Sequence, residues 1–188
     1  MNEPAVSPNG TRRWVVLDRD GVINRDSPDY IRSPTDWQPL PGALTAIARL
    51  SAAGFGLAVA SNQSGIGRGY LDRPTLEAIH ARLHEQVTAA GGRLAAIAYC
   101  PHTPADRCAC RKPRPGLLKQ LMAECGFAAN DALMIGDSAR DIEAARAAGM
   151  AALAVGADAP RLGADFGVPT FADLARAADW LLEGNWPC

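Results

Sequence analysis

The chain is short of the features that mark several large classes of protein. Its 19 Lys and Arg are balanced by 20 Asp and Glu, a formal net charge of −1. It therefore has neither the basic excess that nucleic acid attracts nor an acidic tail. Residues 1–13 are polar and hold no apolar core of the kind a secretory leader needs. No apolar run approaches the length that crosses a bilayer, and internal repeats and low-complexity segments are missing as well. The simplest expectation is a soluble cytoplasmic protein with no nucleic-acid or membrane partner. No interface-like stripe argues against a monomer. Cysteine is sparse, five in 188 residues. Three of the five, Cys100, Cys108 and Cys110, share one loop, which in a reducing compartment favours a metal site over a disulfide framework. Cys125 falls in a helical pattern as a small apolar residue, and Cys188 ends the chain, where fraying is usual. What is present, 48 % hydrophobic residues, suffices for one domain over 1–188 with a substantial core; residues 1–12 are expected to be its flexible lead.

Strand-like and helix-like segments alternate. Short β-branched or small apolar runs at 14–17, 55–60, 94–99, 132–135 and 151–155 read as buried strands. Between and after them, helices are expected over 41–53, from Asp72 to about Ala90, from Pro115 to just before Gly126, from Ser138 to Ala148, and from Asp173 to Glu183. This order predicts an α/β fold, doubly wound around a mostly parallel sheet. Ligands on such folds lie outside the carboxyl ends of the strands. No insertion is long enough for a second domain. The stretch 25–40, with Pro28, Pro34 and Pro39, is a long loop, and long loops tend to carry function.

Four polar segments follow strand ends. The first is Asp18-Arg19-Asp20-Gly21-Val22. Residues at i and i+2 of an extended chain face the same way, so Asp18 and Asp20 can meet one small substrate, one as nucleophile and the other as acid/base. The second, Ser61-Asn62-Gln63-Ser64-Gly65-Ile66-Gly67-Arg68-Gly69, offers hydroxyl and amide donors and backbone N–H groups suited to a phosphate. The third, Arg111-Lys112-Pro113-Arg114-Pro115-Gly116, supplies cations: Lys112 beside a phosphoryl group, Arg111 as a fork for a second anionic group. The fourth is Gly136-Asp137-Ser138-Ala139-Arg140-Asp141. Asp137 can complete a Mg²⁺ site with Asp18 and the backbone carbonyl of Asp20, since Mg²⁺ prefers oxygen ligands and few carboxylates. Ser138 and Asp141 have the spacing of a capping box, so Asp141 reads as a cap. Taken singly, each segment has a plainer reading as a polar turn, a glycine-rich connection or a solvated basic run. Phosphate monoester hydrolysis needs them together, because a carboxylate cannot approach an anionic phosphate unless cations and donors offset the repulsion.

The set DRDGV, SNQSGIGRG, CRKPRPG and GDSARD resembles, in order, the four motifs of the haloacid dehalogenase (HAD)-like phosphohydrolases, over about residues 14–150. The resemblance implies Asp18 as nucleophile through an aspartyl-phosphate, Asp20 as general acid then base, Ser61 and Lys112 as phosphoryl stabilisers, and Asp137 as a Mg²⁺ ligand. It also implies a capless member of the family.

Cys100-Pro101-His102 and Cys108-Ala109-Cys110 give C-x-H-x5-C-x-C, four ligands of a tetrahedral Zn²⁺ site. With every position filled by protein, the site reads as structural. His80 and His84 are spaced i, i+4, but no Glu follows His80 as a zincin helix requires, so both read as surface or half-buried residues. The CPH…CxC-RKP loop resembles two groups within the family, phosphatases of D-glycero-D-manno-heptose 1,7-bisphosphate and of histidinol phosphate. NQSGIGRG, and DRDGVIN followed by a loop with Asp26 and Tyr30, resemble the heptose group. That implies release of the C7 phosphate on the route to the ADP-heptose of lipopolysaccharide. Substrate contacts are expected from Asp26, Tyr30, Asn62, Gln63, Ser64, Arg68 and Arg111. Two readings of other kinds are a phospho-acceptor signalling domain, against which Asp20 argues, and a non-catalytic sugar-phosphate binder.

Overall fold

A computed structural model describes residues 5–187. Six strands form one parallel sheet: β1 (Trp14–Leu17), β2 (Gly56–Asn62), β3 (Ala96–Cys100), β4 (Ala132–Gly136), β5 (Ala151–Val155) and β6 (Thr170–Phe171). Their spatial order is β3-β2-β1-β4-β5-β6, with β1 in register between its neighbours, Val15 opposite both Leu57 and Leu133. All four residues of β1 are buried, as befits a parallel strand covered on both faces, where an uninterrupted apolar run replaces alternation. The chain starts at the centre and winds outward first to one side and then to the other. That reversal leaves a crevice at the carboxyl end of β1.

Two cores lie on the two faces. Val15, Leu17, Leu57, Val59, Leu133 and Ile135 point to one. There they meet α1 (Ala43–Ala52), α3 (Arg73–Ala89) and α7 (Leu174–Leu182). Trp14, Val16, Ala58, Ala60 and Met134 point to the other, under α4 (Gly116–Cys125), α5 (Ala139–Ala148) and α6 (Ala159–Phe166). Caps match the sequence: Asp72 accepts from the Thr75 N–H at 2.9 Å, with Pro74 in the first turn of α3, and Ser138 with Asp141 closes a capping box on α5. A cap of this kind contributes about 1 kcal/mol.

Three features differ from the sequence reading. The helix α6 and the two-residue strand β6 occupy 159–171, where Pro160 and three glycine or proline breaks obscure any period. A single helical turn, α2 (Ser64–Gly67), sits inside the glycine-rich segment. Residues 5–12 of the lead expected to be flexible are folded back: Val6 bridges Arg12, Arg13 N–H donates to the Ala5 carbonyl at 2.8 Å, and Ala5 is buried in the core. Residues 1–4 and Cys188 lie outside the described residues. No helix among the described residues is long and apolar enough to cross a membrane.

Candidate active site

The carboxyl ends of β1, β2 and β4 converge with the loop after β3 on a cavity of about 270 Å³. Asp18, Asp20, Ser61, Asn62, Gln63, Ser64, Asp26, Tyr30, Arg68 and Arg111 all line it, as does Arg140. The structure therefore gathers the expected substrate and catalytic residues at one place. Lys112 and Asp137 stand behind its floor.

Lys112 is fully buried. Its ammonium lies 2.9 Å from Asp18 Oδ1 and 2.7 Å from Asp141 Oδ1, and donates to the Ala60 carbonyl at 2.7 Å. Burial disfavours the charged amine, but the two carboxylates outweigh it and hold the Lys112 pKa above its ordinary value. Asp18 Oδ1 also accepts from the Arg19 backbone N–H at 2.7 Å; both bonds fall on one oxygen, and Oδ2 takes neither. Burial pushes the Asp18 carboxyl up to about 7, with Lys112 working against the rise and Asp141 with it. Asp141 is thus more than the cap expected: a 0 % exposed carboxylate that caps α5 through Oδ2 and grips Lys112 through Oδ1. No local signal in the sequence separates this double role from that of a cap alone.

Asp18, Asp137 and Asp141 each offer an oxygen within 4.8 Å of the others. Asp137 Oδ1 is buried and has no hydrogen-bond partner. Burial, followed by Asp141, pushes the Asp137 carboxyl up to about 6. Three carboxylates against one lysine leave an uncompensated negative charge and an orphaned hard oxygen, which a divalent cation fits. Gly21 makes room for this arrangement: a Cβ there would fall 1.9 Å from Asp137 Oδ2, on a backbone with φ +81°, a region glycine occupies freely. The Asp20 carboxylate lies apart from that trio. It is held by Arg19 at 2.9 and 3.0 Å, by Asn24 Nδ2 at 2.9 Å and by Gln63 Nε2 at 2.9 Å. Burial raises its pKa, but Arg19 and these donors outweigh burial and bring it below the ordinary carboxylate range.

The expected amide contacts are partly occupied. Asn62 pairs with the main chain of Lys112, its Nδ2 donating to the carbonyl and its Oδ1 accepting from the N–H, both at 3.1 Å. It ties β2 to the start of the third segment. His80 reaches Arg19 Nη1 with Nε2 at 3.4 Å and packs edge-on to Tyr99. Burial, then the guanidinium, lowers its pKa to about 4, so it is a neutral acceptor. His84 contacts Thr88 Oγ1 instead. Arg19, 1 % exposed, was not singled out by the sequence, where it is merely the residue between two aspartates.

Beside the cavity, Cys100, His102, Cys108 and Cys110 come together. Sulfur–sulfur separations are 3.3 to 3.5 Å and Nδ1 of His102 lies 3.3 and 3.6 Å from Cys110 and Cys100. A tetrahedron of sulfurs at about 2.3 Å from zinc has edges of about 3.8 Å, so the cluster is close to that size. No disulfide links these cysteines. Burial and the neighbouring thiols push Cys100 up to about 12, whereas backbone and thiol donors bring Cys108 down to about 7 despite burial. Such a set cannot be fully ionised without a cation, and borderline-soft Zn²⁺ suits it.

Comparison with known proteins agrees with this geometry. The HAD-hydrolase-like family profile matches residues 109–169, the stretch carrying Lys112, Asp137 and Asp141, and places the chain among the HAD-like hydrolases. The chain is 49 % identical over 177 residues to the D-glycero-beta-D-manno-heptose-1,7-bisphosphate 7-phosphatase of Pseudomonas aeruginosa, covering 92 % of this chain and 99 % of that protein. The D-glycero-alpha-D-manno-heptose-1,7-bisphosphate 7-phosphatase of Mycobacterium bovis is 37 % identical over 143 residues, 74 % of this chain and 75 % of that one. The crystal structure of D,D-heptose 1,7-bisphosphate phosphatase from Bordetella bronchiseptica, complexed with magnesium and phosphate, superposes with a TM-score of 0.86 at 40 % identity, covering 92 % of this chain and 99 % of that one. The chain belongs to the heptose-bisphosphate phosphatase family of HAD-like hydrolases, and it is a phosphoric monoester hydrolase.

Proposed function

We propose that the protein removes the C7 phosphate of D-glycero-D-manno-heptose 1,7-bisphosphate, retaining the 1-phosphate, and does so in the cytoplasm as a monomer. One observation carries this reading: a nucleophile-ready Asp18 with a buried ammonium on one oxygen, set beside a buried, orphaned Asp137 oxygen behind the floor of a cavity lined by Arg68, Arg111 and Arg140. A bisphosphate needs cations at both ends, and the floor and rim supply them separately.

Asp18 Oδ2 attacks phosphorus, and the bond from phosphorus to the sugar oxygen breaks with its electron pair on that oxygen. Asp20 gives that oxygen a proton. The clamp on Asp20 favours its anion in the free protein; a dianionic phosphoryl group alongside raises its proton affinity. In the second half, Asp20 takes a proton from water, the water oxygen attacks phosphorus, and the bond to Asp18 breaks to restore the carboxylate and release phosphate. Lys112 and the Ser61 hydroxyl offset charge on the phosphoryl oxygens. Asp18 and Asp137, with the Asp20 carbonyl, would hold Mg²⁺, which when bound neutralises charge shared by nucleophile and phosphate. Cys100, His102, Cys108 and Cys110 would hold a structural Zn²⁺ that fixes the approach of Arg111 and Lys112.

The higher identity to a β-anomer enzyme than to an α-anomer enzyme leads us to propose the β anomer. The test is phosphate release with Mg²⁺ from the β and α heptose bisphosphates and from histidinol phosphate, side by side. Preference for the β bisphosphate with one phosphate retained is expected; preference for histidinol phosphate would overturn the substrate and leave the mechanism standing.

A further inference from the structure

Gln63 lies at the crossing of three functional side chains. Its Oε1 faces Arg19 Nη2 at 3.1 Å. Its Nε2 lies 2.9 Å from Asp20 Oδ2 and 2.7 Å from Ser61 Oγ. The orientation of the amide is fixed by its surroundings: a guanidinium only donates, so the atom against it must be the carbonyl oxygen, and the atom against a carboxylate must be the amine. Ser61 Oγ therefore accepts from Gln63. Its own hydrogen is left to donate elsewhere, and the cavity is where a phosphoryl oxygen would receive it. The side chain is 6 % exposed, which leaves little surface for a substrate hydroxyl.

We infer that Gln63 is a positioning residue, joining the acid/base Asp20 to the phosphoryl-binding Ser61 so that both are aimed at once. This revises the expectation that Gln63 is a substrate contact, and it rests on the reading of Asp20 as acid/base. Arg19 completes the clamp: it grips Asp20 with two nitrogens and Gln63 with one of them, and His80 receives its remaining arm. Rotation of the Gln63 amide by a half-turn would set oxygen against Asp20 and nitrogen against Arg19, two repulsive contacts, so the aim is held in one sense.

A positioning role for an acid shows itself in leaving-group dependence. An alkoxide leaving from a sugar needs the proton, whereas p-nitrophenolate does not. The experiment measures the rate of phosphoenzyme formation by rapid quench for heptose 1,7-bisphosphate and by the p-nitrophenolate burst for p-nitrophenyl phosphate, in wild type, Gln63→Met and Asp20→Asn. Gln63→Met is expected to slow the sugar reaction by about 30-fold or more, a part of the roughly 10²–10⁴-fold that general acid catalysis supplies, while the aryl reaction slows by less than about 5-fold. Melting temperatures check folding, and Gln63→Asn, which keeps the amide but shortens its reach, serves where the Met variant is unstable and is expected to show the same asymmetry. Equal slowing of both substrates, or none, overturns the inference. If Asp20→Asn shows the asymmetry and Gln63→Met does not, only the role of Gln63 falls; if Asp20→Asn lacks it, the acid/base reading beneath falls with it.

Discussion

The carboxylate cluster and the sulfur cluster set the same electrostatic problem and answer it differently. Each crowds like-charged groups within a few ångströms. In the first, a lysine of the chain already sits among the acids, two of the three carboxylates are buried, and one buried oxygen behind the cavity floor is left without a partner. In the second, no cation among the described residues stands within the cluster; Arg111 and Arg114 bind loop carbonyls instead, His102 and Cys108 among them. A site half-neutralised by protein and open on one side suits a metal that must share its ligands with a substrate. A site closed by four protein ligands suits a metal that only holds a loop. Losing the first metal ought therefore to cost rate, and losing the second ought to cost order.

The sharpest break is Asp18→Asn. It removes the nucleophile while Lys112 keeps Asp141, so phosphate release is expected to fall by on the order of 10⁴-fold or more with a melting temperature close to wild type. Substantial residual turnover would remove Asp18 from its role. Next in size is zinc removal. Finger peptides gain about 10–16 kcal/mol from Zn²⁺; if only about 3 kcal/mol of that acts on this larger fold, the melting temperature should drop by roughly 6–12 °C. Calorimetry after chelation, with Mg²⁺ restored, checks this, and activity assayed well below the transition should fall far less than it does on Mg²⁺ removal. An unchanged melt after proven loss of zinc would erase the contrast.

Gly21→Ala sharpens it from the other side. The new methyl would press on Asp137 Oδ2 from a left-handed backbone, at an expected loss of about 1–3 kcal/mol together with a higher Mg²⁺ concentration for half-maximal rate. A wild-type Mg²⁺ requirement would count against Asp137 as a ligand. The smallest effect is one of pH. Asp18 and Asp137 are raised from 3.8 to about 7 and about 6. A carboxyl raised by folding contributes its stability below its unfolded value and loses it as pH rises through the folded one. The metal-free fold should weaken across that window, while Mg²⁺, which favours the ionised pair, should raise the melting temperature by a few degrees more at pH 7.5 than at pH 5. A pH-independent increment would contradict it.

Much of this was legible in the sequence because parallel strands announce themselves as apolar runs and their ends as abrupt polarity. Asp18, Ser61 and Asp137 each follow such a run directly, and Cys100, His102, Cys108 and Cys110 stand so close together that density alone marks them as a candidate metal site. Arg19, Asp141 and the hydrogen-bond partners of Asn62 and Gln63 were not legible. Their partners lie mostly in other segments of the chain, and nothing local distinguishes a cap from a cap that also grips a lysine, or an amide facing substrate from one facing the main chain of Lys112. The pair α6 and β6 escaped for a simpler reason, being too short and too broken by proline and glycine to show a period.

In water the two oxygens of an aspartate are equivalent; on Asp18 they are not. With Lys112 and the Arg19 N–H both on Oδ1, the oxygen that goes out to phosphorus is the other one, and it is the same atom in every cycle. Because the second step cleaves at phosphorus, that atom returns to the carboxylate each time. Solvent oxygen then accumulates in the released phosphate and never in the protein, so isotope-labelled water would mark the product and leave Asp18 as it was synthesised.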